Sequence, residues 1–67
     1  MIILGKFTTK EGNNYDCQYL PEDKLVQAVG PLPEHIGARG VAFEAIAESE
    51  KEARKKIAEA IEKGNLK

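Results

Sequence analysis

The sequence predicts an α+β domain: a small antiparallel sheet of three to four strands with one C-terminal amphipathic helix packed on one face, in the order β-β-β-β-α. Three observations carry this. Ser49 followed by Glu52 is a capping box, in which each side chain satisfies an orphan backbone N–H at a helix start, and Gly64 stands where a left-handed residue ends a helix. Tyr15-Asp-Cys17-Gln-Tyr19-Leu20 alternates with period two, as a strand does when one face is buried. Clusters of Gly, Pro and Asn then separate the short apolar segments.

The elements follow in order. Residues 2–9, rich in β-branched and aromatic side chains, form the first strand. Lys10 to Asn14 is a turn cluster, with Gly12 and the two asparagines able to take positive φ. The second strand places Tyr15, Cys17 and Tyr19 on one face and Asp16 and Gln18 on the other. Strands one and two therefore make a hairpin. Pro21 to Lys24 is a turn, with proline at an early position. Leu25 to Gly30 is a third strand, ended by Pro31 because proline cannot donate to a ladder. Residues 31–40 form the irregular connection. Val41 to Ala47 is the fourth strand. Its competitor is a helix continuous with the next segment, since Phe43, Ile46, Glu50, Ala53 and Ile57 also fit three-four spacing, although Glu50 spoils that stripe. The box at Ser49 decides for the strand, because it marks a helix start just there.

On the helix, Ala53, Ile57, Ala60 and Ile61 share one stripe and the rest is charged. Glu50 with Arg54 and Glu52 with Lys56 place acid before base at i,i+4. Glu50 and Glu52 in the first turn and Lys63 in the last suit the helix dipole.

At 67 residues the chain is a single small αβ domain, residues 1–67, with a thin stability margin. Cys17 is the only cysteine and His35 the only histidine, so neither an intrachain disulfide nor a Cys/His zinc cage can form. A net charge of −1 lacks the broad basic footprint of nucleic-acid binders. No apolar run is long enough to span a membrane, and the start is too short for a signal-peptide core. A cytoplasmic protein with no cofactor, no metal and no membrane contact is expected.

Groups that could carry chemistry are few. Cys17 lies between two tyrosines, and a mid-strand cysteine is ordinarily a small hydrophobe. His35, beside Glu34, is ordinarily an exposed turn residue. Arg54-Lys55-Lys56 is the only basic cluster, and Glu52 and Glu59 blunt it. Ile36-Gly37-Ala-Arg39-Gly40 resembles the backbone-clamping GXXG loop of KH nucleic-acid modules. That resemblance implies an anion contact by Arg39 with Gly37 and Gly40. In that family the loop joins two helices, and here Pro31 and Pro33 leave little room for the first. Tyr15 to Pro21, with Ser49 to Ala53 and Ala60-Ile61, also resembles the hairpin and capped helix of HicB-like antitoxin domains. The middle stretch is longer here and lacks that family's Pro-x-x-Pro-Gly pattern, so only an architecture is implied.

The expectation is a non-enzymatic binding or assembly module that works as a homodimer or with a protein partner. Phe7, Tyr15 and Tyr19 are its candidate interface, on the premise that one narrow helix leaves part of the sheet uncovered. The alternative is a nucleic-acid-associated regulatory domain using the Gly37–Gly40 loop with Arg54 and Lys55.

Overall fold

The structure, a computed structural model, describes residues 1–32 and 37–67. It contains β1 (Ile2–Thr8), β2 (Asn14–Leu20), β3 (Leu25–Pro31), β4 (Arg39–Ile46) and α1 (Glu50–Glu62). The strands form one antiparallel meander in the order β1-β2-β3-β4, and α1 lies over β2, β3 and β4. Residues 41–46 are strand, not a helical extension.

Each turn has a local cause. Between β1 and β2 the Gly12 N–H bonds to the Thr9 carbonyl, and Gly12 takes φ +86°. This is a three-residue hairpin loop whose last position is left-handed, the place where glycine is cheapest. Between β2 and β3 the Asp23 N–H returns to the Leu20 carbonyl across Pro21. The β3–β4 connection is shorter than the sequence suggests. Pro31 is the last residue of β3 and pairs with Arg39, so Arg39 and Gly40 belong to the sheet. Proline is tolerated there because it sits at the strand's end.

The helix is closed at both ends. The Ser49 side chain accepts from the Glu52 N–H at 3.2 Å, and the Glu52 carboxylate reaches back to the Glu48 N–H at 3.4 Å. The expected Glu52–Lys56 pair does not form among the described residues, whereas Glu50–Arg54 does, at 3.4 Å. Lys63 is the C-cap rather than a last-turn residue. Gly64 takes φ +82°, and the Gly64 and Asn65 N–H groups bond to the Ile61 and Ala60 carbonyls, a Schellman closure.

The core lies between α1 and one face of the sheet. It joins Leu4, Tyr15, Cys17, Tyr19, Val26 and Ala28 to Ala47, Ala53, Ile57, Ala60 and Leu66. Tyr15 and Tyr19 are therefore beneath the helix, only 2% and 3% exposed, and Phe7 is half-buried at the core's margin. This corrects the expectation that Tyr15, Tyr19 and Phe7 line an uncovered face. The helix stripe is narrow because its core residues are mostly alanine, and small side chains let α1 sit close enough for the tyrosine rings to fill the gap. The Tyr19 hydroxyl is buried but satisfied, donating to the Ala47 carbonyl at 2.7 Å.

Candidate functional site

Period-two alternation aims the other half of each strand away from the helix. Pairing across the sheet sorts these outward residues into rows. Ile3, Gln18, Gln27 and Glu44 make one row. Leu20, Leu25 and Ile46 make the row on one side of it, and Lys6, Asp16, Val29 and Val41 the row on the other. Gln18 Nε2 donates to Gln27 Oε1 at 2.8 Å, and Gln27 Nε2 donates to Glu44 Oε2 at 2.7 Å. A hydrogen-bonded polar ladder thus runs between two partly apolar bands. Ile3, Val41 and Ile46 are 65%, 46% and 61% exposed there. A groove of about 350 Å³ opens on this face beside Gly5, lined by Ile3, Lys6, Asp16, Gln18 and Val29, with Cys17 also touching it.

The candidate contact residues are not brought together. Gly37 is exposed with φ +82°, while Arg39 and Gly40 begin β4. Arg39 Nη2 lies 3.6 Å from Asp16 Oδ2 on the outer face. A Cβ on Gly40 would stand 3.2 Å from Leu32 Cδ1, so this glycine serves packing. The helix–loop–helix setting of a KH-type loop is therefore missing, because the second glycine is in a strand. Arg54 is engaged elsewhere: Nη1 donates to the Leu4 carbonyl at 3.1 Å, and Nε pairs with Glu50. That contact ties α1 to the bulge in β1. Lys55 is exposed on the helix flank, beside a recess of about 440 Å³ that also touches Lys51, Glu52, Lys56 and Glu59. Its charges are mixed and converge on no common point. His35 lies outside the described residues.

Cys17 is 2% exposed. Burial pushes its thiol from the ordinary 9.0 up to about 11, and the neighbouring Asp16 carboxylate adds to the shift. The thiol is neutral at physiological pH, and a neutral thiol is a poor nucleophile. Native protein should label slowly with a thiol reagent at neutral pH; rapid stoichiometric labelling would overturn this assignment. A linked stability effect follows. Between about pH 9 and 11 the unfolded chain has released this proton and the folded chain still holds it. Stability therefore falls as pH rises through that window and is unaffected by this group below it. The loss is roughly 1–3 kcal/mol, and denaturant melts of wild type and Cys17→Ala on both sides of the window isolate it.

Among the described residues, no group of three or more His, Cys, Asp or Glu side chains could hold a metal ion, and no helix is long and apolar enough to cross a membrane. Compared with protein-family models, curated proteins and solved structures, the chain finds no match.

Proposed function

We propose that the chain is a small non-enzymatic binding or assembly module that acts through self-association. One observation carries this reading. Of the four large hydrophobic side chains left exposed among the described residues, three (Ile3, Val41 and Ile46) stand on the sheet face that the helix does not cover. Ile3 stands on one edge strand and Val41 and Ile46 on the other, and the half-buried Leu20, Leu25 and Val29 lie between them beside the Gln18–Gln27–Glu44 ladder, so apolar side chains recur across the whole face, which supports an interaction surface there. A domain this small also gains stability by burying more apolar area. The nucleic-acid alternative is less favoured because Arg54 is tied to the Leu4 carbonyl and Glu50, and the exposed Arg39 has the opposite charge of Asp16 beside it, on a chain of net charge −1. Sedimentation velocity at low micromolar concentration and above tests the reading. The expected result is a two-copy species whose population grows with concentration. A monomer at every concentration would sink it.

A further inference from the structure

The geometry points to the outer sheet face, rather than a strand edge, as the surface on which a second copy of this chain docks. This rests on the self-association reading and decides between the two ways the sheet could achieve it.

Both edges of the sheet are guarded. β1 carries a bulge between Ile3 and Gly5, with Gly5 at φ +100°, and Arg54 occupies the Leu4 carbonyl there. β4 carries a second bulge, opposite Ala28 and Val29. Bulges twist an edge away from a would-be partner strand and interrupt its ladder. Edge-to-edge pairing would have to run across one of them.

The outer face has no such obstacle. Its polar centre is already internally paired: Gln18 to Gln27, Gln27 to Glu44, and Arg39 beside Asp16. Polar groups that satisfy one another lose less on leaving water than groups that must find new partners. Among the described residues, the paired strand positions that face outward carry Lys6 and Arg39 against Asp16 and Glu44, so these charges balance. Balanced charges of mixed sign do not repel their own copy, and they offer no excess of positive charge to a phosphate backbone. Size sets a limit as well: four strands of seven or eight residues span roughly 19 by 23 Å, so the face presents on the order of 450 Å², about half of the roughly 800 Å² per partner of a standard interface, which suits a weak, concentration-dependent dimer. Sheets stack face to face with their side chains interdigitated about 10 Å apart, and the Leu20–Leu25–Ile46 row supplies apolar surface for that contact.

The test is sedimentation of the full chain across a concentration series, for wild type, Ile46→Glu, Val41→Lys and Lys55→Glu. Each outer-face substitution puts a charge where the dimer would bury an aliphatic side chain, and is expected to weaken the dimer by about tenfold or more. Lys55→Glu, on the helix flank, should leave it unchanged. Thermal melts establish that the variants are folded, as the exposure of the substituted residues predicts. Methyl cross-saturation on the wild-type dimer reads the same surface without any substitution, with Ile3, Val29 and Ile46 as the expected signals. If wild type dimerises but Ile46→Glu and Val41→Lys do so equally well, and cross-saturation falls elsewhere, the outer face is the wrong surface and self-association stands. If wild type is monomeric throughout, both fall together. Salt-dependent binding of an oligonucleotide that is lost in Arg39→Ala would give this face to nucleic acid and overturn the proposal.

Discussion

Replacing Ile57 by alanine is expected to destabilise the domain by about 2–5 kcal/mol. Ile57 is the largest of the fully buried side chains and stands at the middle of the helix stripe, between Ala53 and Ala60. Ala53 and Ala60 beside it on that stripe are too short to fill the space it leaves, and Ile61, one turn on, already packs against the core. The cavity term therefore adds to the lost transfer energy. Small domains have total stabilities of about 5–15 kcal/mol, and this one substitution would remove a large share. Ser49→Ala provides a scale. It deletes an exposed cap whose hydroxyl accepts one N–H, and such a loss is worth ~1 kcal/mol. Urea melts of the two variants beside wild type check both values. If Ile57→Ala melts like wild type, α1 does not bury the face described here.

Helix, strands and strand order were legible because each rests on a local device. The Ser49/Glu52 box and Gly64 bracket α1 to within a residue, and the box correctly separates β4 from the helix. The alternation of Tyr15, Cys17 and Tyr19 placed all three on one face. Nothing local says which of two faces a helix will cover. That choice depends on volume across the whole layer, where α1 brings alanines and the sheet must bring rings. Tyr15 and Tyr19 were therefore on the right face, but that face is the core. The exposed face is the one set by Asp16 and Gln18, and its apolar members sit on other strands, brought beside it only by the register. Pro31 and Arg39 were misplaced for a similar reason, since their pairing is made across a connection that neither residue specifies. Leu66 was missed as a core residue. It stands one residue beyond the Schellman closure formed by Gly64 and Asn65, and its N–H also bonds to the Ala60 carbonyl, which turns the chain back onto the helix.

The bulges at β1 and β4 could not be foreseen from period alone, yet they decide which side chains reach the outer face. Each reverses the alternation for the rest of its strand, which is how Val41 and Ile46 both come to face outward despite an odd separation in sequence. A strict period-two reading of β4 would have put one of them in the core. Gly5 marks the β1 bulge and is a readable signal, because an isolated glycine within a strand often indicates one.

Gly30→Ala is expected to destabilise by about 3 kcal/mol, the upper part of the range for overpacking a tight site. Propensity alone gives the opposite sign, since alanine in place of a strand glycine ordinarily helps by about 0.5–1 kcal/mol. Packing wins here because Gly30 is buried opposite Tyr15 on the adjacent strand, and the ring lies across it. A Cβ at position 30 would stand 2.8 Å from Tyr15 Cε1, closer still to Cδ1, and 2.9 Å from the Asn14 carbonyl oxygen. The ring could yield only by leaving the core that it shares with α1. A double-mutant cycle with Tyr15→Val identifies the cause. That substitution removes the ring and keeps a β-branched residue suited to the strand. In its background most of the Gly30→Ala penalty should vanish, leaving the part due to the Asn14 carbonyl. The two changes should thus be non-additive, with a coupling of about 0.5–3 kcal/mol between residues in direct contact. Additive effects would mean that Tyr15 does not rest on Gly30. The core would then have room at that end of the sheet, and Tyr15 would again be available as a contact residue.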